Sequence, residues 1–143
     1  MYADALKYLQ QMFGKQASFR EGQWEAIELA LHNRKALIVQ QTGWGKSIVY
    51  FIATKILRSK GKGPTILISP LLSLVRNQIY SASSLGIVAE SINSQNFDEW
   101  DSVKNKLKAD TCDILLISPE QLANRDRFNE LMSYISKGIG LFV

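Results

Sequence analysis

The sequence reads Gln40-Gln41-Thr42-Gly43-Trp44-Gly45-Lys46-Ser47 between a short apolar run and a stretch with helical periodicity. The apolar run is Ala36–Val39, and the helical stretch is Ile48–Leu57. A glycine-bearing turn between a strand and a helix presents successive backbone N–H groups to an anion, and the helix adds the positive end of its dipole. The segment therefore predicts a phosphate-binding loop.

Two side chains of this loop have defined roles in the pattern G-x-x-x-x-G-K-[ST]. Lys46 would reach the β- and γ-phosphates as a point charge, and the Ser47 hydroxyl would ligate Mg²⁺. Gln40 stands where the strict pattern has its first glycine, so the strand–loop–helix context carries the prediction. We expect a nucleoside triphosphate site with Lys46 and Ser47 as catalytic residues. The alternative is a glycine-containing turn with an incidental Lys-Ser pair.

Composition limits the class of protein. A chain of 143 residues that is 46% hydrophobic suits one domain with a core, and a net charge of +4 permits a polyanionic partner without requiring one. Cys112 is the single cysteine, so no intrachain disulfide is possible and a reducing, cytoplasmic location is expected. The sequence has neither a long apolar stretch nor a basic-then-apolar leader, so we expect no membrane partner.

Short apolar runs alternate with helical periodicities, which is typical of an α/β fold. The runs are apolar almost throughout, as expected of parallel strands covered on both faces. The predicted strands are Ala36–Gln40, Thr65–Ser69, Ile87–Ile92, Asp113–Ser118 and Ile139–Val143. Right-handed crossovers would then build one parallel sheet flanked by helices.

The helical stretches also have predicted limits and faces. The first has Leu6, Leu9 and Phe13 on one face and ends at Gly14. The second has Trp24, Ile27 and Leu31 on its face and ends near Asn33, and the later predicted helices are Leu71–Ala82, Asp98–Leu107 and Arg125–Ser136.

Polar residues follow the later predicted strands directly. They are Ser69-Pro70-Leu71-Leu72-Ser73-Leu74, then Asn93-Ser94, then Ser118-Pro119-Glu120-Gln121. Ligands of open parallel sheets bind at the carboxyl ends of the strands. Helix starts and small hydroxyls there can position the phosphates of a nucleic acid without reading its sequence. The alternative is that these serines are ordinary helix caps.

The chain from about Leu9 onward resembles the N-terminal part of a RecQ-type helicase, a superfamily 2 motor. Phe13-Gly14 with Phe19-Arg20 and Gln23 is similar to the family's adenine-recognising motif, and Thr42–Ser47 is similar to its motif I. Further matches in order are Ser69–Leu74 with Gln78 to motif Ia, Asn93-Ser94 to the following Asn-Ser pair, and Ser118-Pro119-Glu120 to motif Ib.

The resemblance implies a P-loop, RecA-like fold and an ATP-dependent DNA helicase that uses ATP and Mg²⁺. It assigns nucleotide binding to Phe19, Arg20, Gln23, Thr42, Gly43, Trp44, Gly45, Lys46 and Ser47. It assigns contacts with single-stranded DNA to Ser69, Pro70, Leu71, Ser73, Gln78, Asn93, Ser94, Ser118, Pro119 and Glu120. Gln23 would pair with the adenine edge because a carboxamide offers a donor beside an acceptor.

The sequence also departs from the family. Lys15 follows Gly14 where relatives often carry an aromatic residue, and Gln121 stands where many carry arginine. Val143 precedes any Asp-Glu-Ala-His segment, so we expect residues 1–143 to be an incomplete first lobe that partners the remainder of a helicase chain and has negligible turnover alone. An RNA helicase lobe, a small-molecule kinase and a non-catalytic nucleotide- or nucleic-acid-binding module remain the alternatives.

Overall fold

The computed structural model describes residues 1–143. The chain begins with three helices, and further helices then separate the four strands. In chain order they are α1 (Tyr2–Phe13), α2 (Gln23–Leu31), α3 (Lys46–Ser59), β1 (Thr65–Ile68), α4 (Leu72–Ser83), β2 (Ala89–Ile92), a 3₁₀ turn (Phe97–Glu99), α5 (Trp100–Lys108), β3 (Ile114–Ile117), α6 (Pro119–Ala123), α7 (Arg125–Ser133) and β4 (Leu141–Phe142).

The strands form one parallel sheet in the order β2-β3-β1-β4. Ile114 at the start of β3 pairs with Thr65 of β1 on one side and with Ala89 of β2 on the other. This register brings the carboxyl ends of β1, β2 and β3 to the same edge. The predicted α/β fold with a parallel sheet flanked by helices is confirmed.

The core has two layers because alternate residues of each strand point to opposite faces. Leu67 of β1 packs in the layer under α1 to α4, whereas Ile66 packs in the layer under α5 and α7. In β3, Leu116 belongs to the first layer and Leu115 to the second. Both faces of the central strands are therefore covered, which explains their unbroken apolar sequence.

The predicted strand Ala36–Gln40 is wrong. Residues 35–40 have no regular structure and form no backbone–backbone hydrogen bond. Leu37 and Val39 are 90% and 80% exposed, and only Ile38 packs against the core. A cavity of about 720 Å³ lies between this segment and β4. The segment is not a strand because no neighbouring strand offers it a ladder of hydrogen bonds.

The helix predictions need smaller corrections. Phe13 was predicted on the buried face of α1 but is 59% exposed, while Leu9 is buried. The helix predicted from Asp98 starts instead with the 3₁₀ turn, and α7 ends at Ser133 rather than Ser136. The short helix α6 was not predicted, because five residues are too few to show a helical period. No helix has the length and apolar character needed to cross a membrane.

Candidate nucleotide site and nucleic-acid edge

The phosphate-binding loop depends on two glycines. Gly43 and Gly45 have φ values of 90° and 97°, which side-chain-bearing residues rarely adopt. A Cβ at Gly45 would also lie 2.6 Å from Nε2 of Gln23 and 2.8 Å from Cδ1 of Ile48. The loop then enters α3, which begins at Lys46 and runs for 14 residues. The sequence pattern thus places a glycine where the backbone requires one.

The amide groups of this loop are largely free. The N–H of Trp44 donates to the carbonyl of Gln41 at 3.3 Å and closes the turn. The other N–H groups of residues 42–47 donate to no acceptor in the protein. Lys46 is exposed and forms no ion pair, and Ser47 is half-buried. Unpaired amides at the start of a long helix, beside a free ammonium group, form a site suited to an anion.

Gln23 fixes the direction in which the free amides of Gly45 and Lys46 point, and Arg20 holds the peptide before them. Gln23 Nε2 donates to the carbonyls of Trp44 at 3.0 Å and Gly45 at 3.4 Å, and the Arg20 guanidinium donates to the carbonyl of Gly43. All peptide bonds are trans, so each N–H points opposite to the carbonyl of the same peptide unit. The N–H groups of Gly45 and Lys46 therefore point away from Gln23.

The Gln23 carboxamide is already occupied. Its side chain is 2% exposed, and its Oε1 accepts a hydrogen bond from the Arg20 backbone N–H at 2.7 Å. Its Nε2 donates to two loop carbonyls. Pairing with an adenine edge would require Gln23 to release at least one carbonyl, so the predicted base contact stays a prediction.

The predicted nucleotide-binding residues do not share one cavity: some line the smaller cavity, one lines the larger, and three line neither. A cavity of about 530 Å³ is lined by Arg20, Gln23 and residues 43–45, whereas Lys46 lines the cavity of about 720 Å³ beside β4. Thr42 and Ser47 line neither cavity. Phe19 lines neither and packs instead in an aromatic cluster, with ring centroids 5.9 Å from Tyr2 and 6.4 Å from Trp24.

Six residues that line the smaller cavity were not predicted to bind nucleotide: Leu9, Phe13, Gln16, Ala17, Ser18 and Ile48. Phe13, Gln16 and Ser18 line it together with Arg20 and Gln23. Phe13 lies in the motif that carried the resemblance, but its helical position assigned it to the core. Its exposure, which no sequence pattern gives, makes it an available aromatic face in this cavity.

The predicted nucleic-acid residues do converge on one edge of the sheet. The N–H of Ser69 donates to the carbonyl of Ile117 at 3.2 Å, and the N–H of Ser118 donates to the carbonyl of Ile92 at 3.3 Å. The segments after β1, β2 and β3 thus lie side by side. Their exposed members are Pro70, Leu71, Ser73, Ser94 and Glu120, while Ser69 and Pro119 are half-buried.

Three of the residues predicted to contact nucleic acid have side chains that are buried or hydrogen-bonded within the protein. Asn93 is buried, and its Oδ1 accepts from the N–H of Gln95 at 2.9 Å. The Ser118 hydroxyl is buried without a hydrogen-bond partner. Gln78 accepts a hydrogen bond from the Tyr50 hydroxyl at 2.7 Å, and burial raises the pKa of that phenol. Asn93 and Ser118 are buried and Gln78 is half-buried, so contact of these three side chains with nucleic acid stays a prediction.

Gln121 stands where many family members carry arginine, and its side chain is hydrogen-bonded to a neighbouring arginine, Arg127. Gln121 is buried, and the Arg127 guanidinium donates to its Oε1. The same guanidinium lies 4.4 Å from the ring centroid of Trp100. A positive group is therefore present next to this edge, but it is directed to the protein interior.

The structure has neither a metal-binding cluster nor a reactive cysteine. No three His, Cys, Asp or Glu side chains come together in a way that could hold a metal ion. Cys112 is buried, and burial raises the pKa of its thiol to about 12. A thiol protonated at neutral pH is neither a nucleophile nor a ready metal ligand.

Comparison with known proteins identifies the class. Residues 20–139 match the family model of the DEAD/DEAH box helicases, which covers most of the chain. The chain belongs to this family.

Individual relatives show which helicases of this family the chain resembles. The chain is 40% identical over 131 residues to the ATP-dependent DNA helicase RecQ of Haemophilus influenzae, covering 91% of this chain and 20% of that protein. It is 39% identical over 108 residues to the Bacillus subtilis protein of the same name, covering 74% and 18%. It is 31% identical over 139 residues to the ATP-dependent helicase wrn-1 of Caenorhabditis elegans, covering 96% and 12%.

These relatives confirm the resemblance to RecQ-type helicases. The chain spans about a fifth or less of the length of these three relatives.

Proposed function

We propose that this chain is the nucleotide-binding part of an ATP-dependent DNA helicase and belongs to its first RecA-like lobe. It binds ATP at the loop 40–47 and contacts single-stranded DNA at the carboxyl edge of β1, β2 and β3. The observation that carries the proposal is the set of unpaired amides at the start of α3, directed away from Gln23.

The loop residues suit a triphosphate with its metal. The amides of Gly45 and Lys46 would donate to phosphate oxygens, and the Lys46 ammonium, free of protein carboxylates, would pair with their charge. The half-buried Ser47 hydroxyl is a hard oxygen donor of the kind that Mg²⁺ accepts. Mg²⁺, when bound, would neutralise charge on the phosphates.

The smaller cavity suits the base. Phe13 offers an exposed aromatic face, and Arg20 and Gln23 bring polar groups to the same cavity. Stacking on Phe13 would take the role of the aromatic residue that is replaced by Lys15. A cavity of about 530 Å³ is within the size range of small-molecule sites.

A binding measurement on the purified chain tests the nucleotide site. We expect Lys46→Ala to weaken ATP binding by about tenfold or more, because one charge-assisted contact is lost. Lys60→Ala is the matched control, because it removes the same charge from the other end of α3. Isothermal titration calorimetry with ATP and Mg²⁺ measures the dissociation constants of both variants. Equal dissociation constants for the two variants would contradict the site.

A second measurement tests the nucleic-acid edge. We expect Ser73→Asp to weaken binding of a fluorescent oligothymidine, because a carboxylate at the exposed start of α4 repels phosphate. Ser83→Asp places the same charge at the far end of that helix and serves as the control. Fluorescence anisotropy at low salt measures the affinities. Equal weakening by both variants, or tighter binding of oligouridine than of oligothymidine, would contradict the assignment.

A further inference from the structure

Trp44 is the one buried side chain in an otherwise open loop. It is 9% exposed, whereas Thr42, Gly43 and Lys46 are exposed. Its ring belongs to the core layer that contains Leu9. A tryptophan between two glycines is therefore anchored inside its own chain.

The anchor point is the turn before α2. Trp44 Nε1–H donates to the carbonyl of Glu21 at 3.2 Å. The indole also lies against Gly22, where an added Cβ would be 3.6 Å from Cζ2 of the ring. Gly22 has a φ of 83° and caps the start of α2. The side chain of Trp44 thus joins the phosphate-binding loop to the turn at residues 21–22.

We propose that Trp44 is a positioning residue that clamps this loop to the Glu21–Gly22 turn and keeps the amides of Gly45 and Lys46 turned toward the phosphates. The inference rests on the proposed nucleotide binding. It assigns to Trp44 an indirect role, because its indole reaches a backbone carbonyl of the protein rather than the ligand.

The clamp is distinct from the contacts of Gln23. If Gln23 pairs with a base, it releases a loop carbonyl, and the loop loses part of its support. The bond between Trp44 and Glu21 uses neither the Gln23 carboxamide nor any phosphate-facing amide. Release of a loop carbonyl by Gln23 therefore does not require this bond to break. Two glycines with positive φ make the loop costly to order, so a fixed anchor between them has a clear physical use.

Hydrogen exchange of the Trp44 indole N–H in the nucleotide-free chain tests the clamp directly. We expect the Trp44 indole N–H to exchange slowly with solvent in nuclear magnetic resonance spectra, because it is buried and hydrogen-bonded. Trp44→Phe identifies the signal by its disappearance. An indole signal that exchanges as fast as an exposed tryptophan would overturn the proposal.

Ligand titrations test its consequence. Trp44→Phe keeps an aromatic ring but loses the hydrogen bond, and we expect it to raise the dissociation constants of inorganic tripolyphosphate, ATP and GTP by the same factor, about threefold to tenfold. Trp44→Ala should raise all three further. The equal factor separates an effect on the phosphate loop from an effect on base recognition.

Trp100→Phe is the matched control. The Trp100 indole N–H also donates to a backbone carbonyl, that of Asn93 at 3.0 Å, but its ring packs in the other core layer. We expect Trp100→Phe to leave tripolyphosphate binding unchanged. Tripolyphosphate binding by Trp44→Phe that equals the wild type would overturn the clamp alone. A wild-type chain that binds neither tripolyphosphate nor ATP would overturn the proposed function and the clamp together.

Discussion

Strand β3 and the segment 36–39 have similar apolar sequences, but one is a buried strand and the other is an exposed, unpaired segment. β3 reads Ile-Leu-Leu-Ile, and the segment reads Ala-Leu-Ile-Val. Every residue of β3 is at most 2% exposed and is paired on both sides, whereas Leu37 and Val39 are almost fully exposed and their backbone is unpaired. An apolar, β-branched run therefore becomes a strand only where neighbouring strands supply the ladder.

The difference extends to the phosphate-binding loop. The loop connects the unpaired segment 36–39 to the well-packed helix α3. Support from the segment is limited to Ile38, so the fixed structure of the loop depends on its ties to Arg20, Gln23 and the Glu21 carbonyl.

The largest difference in stability is expected between two variants that each truncate one leucine, one in β3 and one in segment 36–39. We expect Leu116→Ala in β3 to lower the free energy of unfolding by about 2–5 kcal/mol, because it leaves a cavity in the core. Leu37→Ala should change it by less than about 0.5 kcal/mol, because no packed contact is lost. Urea denaturation followed by circular dichroism measures both. Similar losses in the two variants would show that segment 36–39 is packed after all.

A smaller effect should follow from the ion pairs at the start of β3. Arg58 at the end of α3 donates to Asp110 at 2.9 Å and to Asp113 at 2.8 Å, with 14% of its side chain exposed. We expect Arg58→Met to lower the free energy of unfolding by about 1.5–3 kcal/mol, the range for hydrogen bonds to charged groups. Arg58→Lys keeps the charge and should lose less. Equal denaturation midpoints for all three proteins would contradict this anchoring.

Acid should weaken the ion pairs that Asp110 forms with Arg58 and Lys137. The hydrogen bond from Lys137 lowers the pKa of the Asp110 carboxyl below its ordinary value of 3.8, and Arg58 adds to the effect against a partial loss of hydration. A lowered pKa in the folded state stabilises the protein above pH 3.8, and this contribution is lost as the pH falls through the folded value. We expect Asp110→Asn to lose less stability than wild type in that acid window, as measured by thermal melts. Parallel pH profiles would contradict the shift.

The smallest effect on stability should come from making segment 36–39 polar. We expect Leu37→Ser with Val39→Ser to leave the melting temperature unchanged but to reduce self-association, because an exposed apolar stretch with an unpaired backbone can pair with another chain. Light scattering over a concentration series measures this. Matching Ser substitutions at Ile114 and Leu116 should instead unfold the protein. Unchanged scattering would show that the segment is inert.

The sequence predicted correctly those features that depend on interactions between residues close together in the chain. The limits of β1 and β3 were correct to within one residue at each end, because short apolar runs there are bounded by Pro64, Asp113 and polar residues. Gly43 and Gly45 were placed correctly because the loop conformation requires glycine. The unpaired segment could not be foreseen, because pairing depends on strands that are distant in sequence.

The site was predicted in the same uneven way. The grouping of Ser69, Asn93 and Ser118 at one edge follows from the parallel topology, which the alternating pattern implies. The partners of Gln23 and the burial of Trp44 do not, because a carboxamide or an indole binds whatever the fold brings near it. Phe13 was misassigned because helical periodicity shows which residues share a face but not which face is covered.

Lys46 stands in the wall of the larger cavity, with Phe142 of β4 on the same wall. Lys46 therefore borders two regions of different character, the phosphate-binding loop with its unpaired amides and a mostly apolar cavity. We expect an apolar group that fills this cavity to exclude water and to lower the dielectric constant around Lys46. Filling the cavity would then strengthen the attraction between Lys46 and phosphate.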